Sequence, residues 1–384
     1  MSHTRLGPPL ARDLRRGRPP EIEILACEVY DLLLSVHIVL ASPDYSYADY
    51  DIGTEWIERA RARVNARDPQ ALERLGRVLG DDRPHSLSGT LLSLVRLAPE
   101  PRTTASFIKW LRAIEPHLLI EALLDQDGLG LDWHDLMIKA LAEVGDPTTP
   151  GVALRQLLER YPPEMRPQVE GMLRDPATTR REIADALAVW DKAVFSQERA
   201  KVNEAEQRDA ELLNKRRQEL ASEPFVEETM RGVQWQRPAS LRRIVFAPSY
   251  FCGPAVFYHF AHGTLTFCIP IEREVLHPGE VRHDPRQPSE ELLQFFLTLG
   301  DESRLRILGL LAGGEKYLTE LADEVGLTKA TTKHHMVKLR AAGLVNLIVR
   351  DRLTYYALRT DIATHAGQAL EQFLTAAARH AAKS

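Results

Sequence analysis

Apolar residues recur three and four positions apart from Ile22 to about Phe195, as in Val29, Leu32, Leu33, Val36 and Leu40, and again in Ile114, Leu118, Leu119, Ala122 and Leu123. That period aligns one face of a helix, so this half of the chain is predicted to be helical almost throughout. Breaker clusters at Ser42-Pro43-Asp44, Asp81-Asp82-Arg83-Pro84, Pro99-Glu100-Pro101, Gly145-Asp146-Pro147 and Tyr161-Pro162-Pro163 cut it into roughly seven short helices. The stretch Ile22–Leu40 carries Glu23, Glu28 and Asp31, and a charge at a bilayer centre costs roughly 2.5–3.5 kcal/mol. It reads as a core helix, not a membrane span.

Ser196–Glu223 changes character. Six basic and seven acidic residues without Gly or Pro predict a long exposed helix. Its thin apolar seam of Val202, Ala205, Leu212, Leu213 and Leu220 suits a connection between domains. From Arg242 to Pro270 the period falls to two. His262-Gly263 separates two apolar runs as a two-residue hairpin turn does. The implied register sets Ala261 opposite Thr264, Phe260 opposite Leu265, His259 opposite Thr266, Tyr258 opposite Phe267, Phe257 opposite Cys268 and Val256 opposite Ile269. Alternation then sends Val256, Tyr258, Phe260, Leu265, Phe267 and Ile269 to one buried face and leaves Phe257, His259, Thr266 and Cys268 on the other. Arg243–Ala247 is expected as a third strand, stopped by Pro248. Pro278, Gly279, Pro285 and Pro288 mark a linker over His277–Pro288.

From Ser289 the helical period is clean. One helix runs Glu290–Leu299. A second runs Arg304–Ala312 with Leu305, Leu308 and Leu311 inward, capped by Asp301 or Ser303. A short third carries Leu318, Leu321, Ala322 and Val325 and stops at Gly326; Thr328 caps a fourth that reaches Ala342. Val345–Val349 and Leu353–Leu358 then form a β-hairpin around Arg350-Asp351-Arg352. On the fourth helix Thr332, Met336 and Leu339 fall within about 60° of one another and face the core, leaving Ala330, Lys333, His334 and Val337 outward. Lys329, Lys333, Lys338 and Arg340 lie on it with no acidic residue between Gly326 and Arg340, whereas the segment from Ser289 onward nets only +1. A basic helix of this kind enters a DNA major groove, its first residues reading base edges and its flanks neutralising phosphates. The expected DNA contacts are Thr328, Lys329, Ala330, Thr331, Lys333, His334, His335 and Lys338, with Arg350 and Arg352 from the hairpin.

The chain has 384 residues and a net charge of −5, with 44% hydrophobic and 27% charged positions. That mixture is globular, and it excludes a uniformly basic coat protein while allowing one basic face. Three cysteines, Cys27, Cys252 and Cys268, suit a reducing compartment and no disulfide framework. Residues 1–20 net +4 among Pro and Gly and read as a disordered basic tail without signal-peptide character. Cys252, His259, His262 and Cys268 are residue types that zinc accepts, but their spacing matches no compact zinc knuckle, so no metal or other cofactor is expected. No phosphate-binding loop, zinc-protease or serine-hydrolase motif occurs, since Gly309–Lys316 reads GLLAGGEK, and no enzyme activity is expected.

Several runs together resemble the ArsR family of winged helix-turn-helix transcriptional regulators. They are Leu299-Gly300-Asp301-Glu302-Ser303-Arg304-Leu305-Arg306-Ile307-Leu308, Leu318-Thr319-Glu320-Leu321-Ala322, Leu327 through Met336, Leu339 through Val345, and Tyr355-Tyr356-Ala357-Leu358. The resemblance covers about the last quarter of the chain. It implies a homodimer on a palindromic DNA site and a repressor by family habit; the sequence departs from the family's metal-sensing members, whose cysteine pair would fall in Tyr317–Leu321, where it has no Cys. The expected architecture is mainly α: a tail at 1–20, a helical sensing and dimer-supporting domain at 21–195, a charged connecting helix at 196–223, a small antiparallel β unit at 224–276, a linker at 277–288 and a winged helix-turn-helix at 289–384. The second hairpin face, Phe257, His259 and Cys268, is the candidate site for a small-molecule effector of unknown identity; the alternative is that this face is solvent-exposed or packs on the helical domain. The expected site of action is the cytoplasm, and no membrane contact is expected. The alternative is a winged-helix module that binds protein and not DNA.

Overall fold

A computed structural model describes residues 19–40, 50–79, 91–124, 131–145, 151–161, 163, 165–235, 240–277, 287–350, 353–359 and 362–381. Strand β1 (Glu21–Ile24) precedes helices α1 (Glu28–Leu40), α2 (Thr54–Arg67), α3 (Ala71–Leu79), α4 (Leu91–Leu97), α5 (Thr104–Ala113), α6 (Pro116–Leu124), α7 (Leu131–Gly145), α8 (Val152–Glu159), α9 (Arg166–Arg174) and α10 (Pro176–Trp190). A π-turn at Asp191–Phe195 joins α10 to the long α11 (Ser196–Glu219) without a break. Then come α12 (Ser222–Thr229), β2 (Val233–Trp235), β3 (Arg243–Ser249), β4 (Phe257–Ala261), β5 (Thr264–Pro270) and α13 (Arg273–Leu276). The C-terminal part holds α14 (Glu290–Leu299), α15 (Glu302–Ala312), β6 (Lys316–Tyr317), α16 (Leu318–Val325), α17 (Lys329–Ala341), β7 (Val345–Arg350), β8 (Leu353–Leu358) and α18 (Ile362–Ala381). The basic tail falls almost wholly outside the described residues, as does most of the expected linker.

The predicted helix Ile22–Leu40 is a strand followed by a helix. Glu21-Ile22-Glu23-Ile24 alternates with period two, and this strand pairs in parallel with β3, while the helix begins only at Glu28. The hairpin is as its turn chemistry demands: β4 and β5 pair antiparallel from Ala261↔Thr264 to Phe257↔Cys268. His262 (φ 49°) and Gly263 (φ 74°) both occupy the left-handed region that such a turn requires. A Cβ at Gly263 would lie 2.7 Å from the Ser240 carbonyl oxygen, so glycine is required there twice over. The third strand does not stop at Pro248: β3 runs to Ser249, with Pro248 paired to Ile269. The resulting sheet has order β1-β3-β5-β4 and is parallel except for β4, so the β unit is mixed, not purely antiparallel.

Both faces of this sheet are buried, each in a different core. Ile244, Phe246, Phe260, Leu265, Phe267 and Ile269 pack toward the winged helix. Ala247, Cys252 and Cys268 pack among the helices, where α1 is buried on nearly every side. Near the end of β3, α1 and α11 set two carboxyl groups together: Asp31 accepts the Tyr250 N–H at 2.9 Å and the Ser249 hydroxyl. Burial and the neighbouring Asp31 carboxyl lift Glu206 well above the carboxylate range.

The second sheet has order β2-β7-β8-β6. The wing strands β7 and β8 pair from Val345↔Leu358 to Arg350↔Leu353. β2, which lies between β1 and β3 in the chain, adds to them in parallel through Val233↔Leu347, Gln234↔Ile348 and Trp235↔Val349. Two short strands thus cross the divisions expected at 223 and 288.

Candidate nucleic-acid interface

Each end of the helix-turn-helix is fixed by a local device. The Glu320 carboxylate accepts the Tyr317 N–H at 2.7 Å where α16 starts. Gly326, at φ 79°, ends α16 in the left-handed conformation. The Thr328 hydroxyl caps α17 by accepting the Thr331 N–H at 3.1 Å, and Thr332 donates its hydroxyl to the Thr328 carbonyl at 2.9 Å. Leu321, Ala322 and Val325 from α16 are buried with Met336 and Leu339 from α17, which sets the angle between the two helices.

This arrangement sorts the expected contact residues. Thr328, Lys329, Ala330 and Thr331 are all exposed, forming a continuous surface over the cap and first turn of α17, and Lys333, His334 and Lys338 are half-buried. His335 is not on that surface. It is 8% exposed, its Nδ1 is 3.9 Å from Asp301 Oδ1, and burial lowers its pKa against the opposing pull of Asp301. The sequence held the signal, because 332, 335, 336 and 339 form the three-four stripe of a buried helix face. Arg350 is the last residue of β7, and Arg352 lies outside the described residues.

The C-terminal half of the basic face leans on the body of the protein. Burial, with the charge of Arg340 second, lowers the Lys333 ammonium to about 8. In the same region burial, then the Lys333 charge, hold His37 of α1 down to about 4. The Arg340 guanidinium is lowered by burial while the nearby Tyr356 and Tyr258 hydroxyls act the other way.

Of the two readings of the second hairpin face, the structure shows the packed one. Cys268 is fully buried and His259 is 6% exposed. The Phe257 ring meets His37 edge-on with centroids 5.0 Å apart, and α4 contacts β4. Both faces of the hairpin alternation therefore pack into cores, which sequence alternation cannot distinguish from one packed and one free face.

Apolar side chains gather on another surface. On α14 Leu293, Phe296 and Leu297 are exposed, and so is Leu374 on α18, the helix packed beside it. Among the described residues no helix is long and apolar enough to cross a membrane.

The family described as bacterial regulatory protein, arsR family, matches residues 301–346, the span from the α15 cap into β7. The transcriptional repressor SdpR of Bacillus subtilis (strain 168) is 28% identical over 67 residues, which is 17% of this chain and 74% of that repressor. No solved structure matches. Residues 301–346 are an ArsR-type helix-turn-helix, and the strands that follow complete its wing.

Proposed function

We propose that this DNA-binding regulator acts as a homodimeric repressor on a palindromic operator in the cytoplasm, with the body upstream of the linker sensing a small molecule. The observation that carries the reading is α17: an exposed Thr328–Thr331 surface at the start of a helix that carries Lys329, Lys333, Lys338 and Arg340 with no acidic residue between Gly326 and Arg340 in the sequence. Two-fold symmetry would place two such helices in successive major grooves. The apolar surface of Leu293, Phe296, Leu297 and Leu374 supports pairing through α14 and α18, since an exposed patch of this kind marks an association surface. Repression follows the named function of the SdpR relative.

The test is selection of genomic fragments on the purified protein, followed by anisotropy titration of the recovered duplex against a scrambled one. We expect a two-fold symmetric sequence, one dimer per site and an affinity that falls steeply with added salt as counterions are released. Lys329→Ala should weaken binding by about 1–3 kcal/mol where a base contact is lost. A protein that selects no common sequence and binds the scrambled duplex equally would overturn the reading in favour of a protein-binding winged helix.

A further inference from the structure

We propose that the cavity between α11, α12 and the end of β5 binds a small protonated primary amine on the Asp209 carboxylate, as the effector of DNA binding. The effector role rests on the regulator reading above; the binding site does not.

The buried seam of α11 includes Asp209 alongside Val202, Ala205 and Leu213. Asp209 is 1% exposed. Its Oδ1 accepts the Glu272 N–H at 2.8 Å, and its Oδ2 has no hydrogen-bond partner in the protein. A buried acceptor left so is costly, and a ligand that brings a donor recovers that cost. The same side chain lines a cavity of about 70 Å³, with Leu213, Phe225 and Ile269 as its apolar wall.

The charged lining sets the sign of the ligand. Arg216 and Arg231 are both spent on one carboxylate, each reaching Glu272 Oε1 at 3.1 Å, and Glu228 stands exposed at the rim. Three carboxylates against two guanidiniums leave the lining net negative, so an anion is disfavoured and a cation favoured. A metal ion is a poor fit, because among the described residues no three His, Cys, Asp or Glu side chains converge. An ammonium group has three N–H donors for the carboxylate. A water-sized group takes roughly 10–15 Å³ of such space, so the cavity holds on the order of five heavy atoms, the size of an amine with two to four carbons.

The cavity also touches the route to the wing. Thr229, the last residue of α12, lines it. Arg231 follows at φ 46° and Gly232 at φ 79°, and the chain then enters β2. A left-handed arginine is strained. It is held by its guanidinium, which donates to the Pro270 carbonyl at 3.0 Å and pairs with Glu272. A cation seated on Asp209 alters the field at that guanidinium, so occupancy biases how β2 is presented to β7.

Burial lifts the Asp209 carboxyl to about 6; the Glu272 charge acts in the same direction, while the Glu272 N–H, Arg231 and Arg216 oppose it. An ammonium binds the ionised form, so affinity falls as pH drops below that value.

The experiment titrates the full-length protein with n-propylammonium chloride by calorimetry, with 1-propanol and sodium propionate as controls. The amine alone should bind saturably at one site per chain, about tenfold more weakly at pH 5 than at pH 7. Asp209→Asn should lose at least about tenfold in affinity, the binding of one charge-assisted contact. Because Asp209 is buried, the exposed rim variant Glu228→Lys gives a second reading that does not depend on refolding the core; it should weaken the amine several-fold. No saturable amine binding at pH 7, or equal binding by the wild type and both variants, overturns the site. Operator affinity with and without the amine separates the claims: amine binding with unchanged operator affinity overturns the effector role alone, and operator binding without amine binding overturns the site and leaves the regulator reading standing.

Discussion

Lys333 is a phosphate-binding candidate whose charge is only marginally held. Burial and Arg340 bring its ammonium down to about 8, whereas the first turn of α17, with Lys329, is exposed. A phosphate contact requires the protonated form and raises its pKa, so DNA binding takes up a proton wherever free Lys333 has lost one. The sign follows: affinity is insensitive to this group below about pH 8 and falls by up to about tenfold per unit above it. Nearby His37, held at about 4, stays neutral through that window and does not mask the effect. Lys333→Arg should abolish the alkaline fall while retaining affinity at pH 7, as measured by anisotropy at constant salt. A wild-type profile flat to pH 9 would show that Lys333 is not at the interface. His335 makes the complementary point, since its place beside Asp301 gives it a structural position on the buried stripe.

At the scale of elements, legibility tracked the distance over which an element is specified. The β4–β5 register followed from His262-Gly263 because a two-residue turn fixes every pairing beyond it. Thr328, Gly326 and the stripe of Met336 and Leu339 likewise located α17 from neighbouring residues. β1 and β2 were not legible, being four and three residues long, with partners more than a hundred positions away. Such strands exist only because the partner edge is present, and propensity cannot reveal them. The cavity acid Asp209 was hidden for a related reason: an acid on an apolar seam reads as solvated until the helix is seen covered. β2 makes a test possible. Val233 is buried in the core that includes Phe225, Leu347 and Tyr356, and the Leu347 N–H donates to the Gly232 carbonyl at 2.8 Å. Val233→Asp should release β2, destabilising the fold by roughly 2–4 kcal/mol through an unpaired buried charge. Hydrogen exchange should then accelerate at the Leu347 amide while amides shared between β7 and β8 remain protected. Uniform acceleration across the wing would mean that β2 holds the whole sheet, not one edge.

Across the whole molecule the mixed sheet joins two cores and leaves the winged helix dependent on the body. One core runs from Leu213 and Phe225 through Ile244 and Phe267 to Ile307, Met336 and Tyr356; the other takes the opposite face of the same strands through Ala247 and Cys268. A fragment of residues 289–384 keeps α14–α18 and its own buried set of Ile307, Leu321, Met336, Leu339 and Val345, so it should fold. It loses the cover of Phe225, Met230 and Val233 and exposes the edge of β7 that β2 pairs. With about 1.5–3 kcal/mol for each fully buried apolar side chain, of which only a part faces the winged helix, it should be roughly 2–4 kcal/mol less stable than the same region in the full chain. It also loses the body against which Lys333 and Arg340 lean. The Lys333 ammonium should then return toward the ordinary lysine value of about 10.4, and the fragment's DNA affinity should hold through pH 9 where that of the full chain falls. Thermal melts and paired anisotropy profiles measure both effects on the same samples. A fragment as stable as the full chain, with the same alkaline fall in affinity, would mean that the upstream body leaves the reading helix untouched, and control from that body would then have no physical path to the DNA.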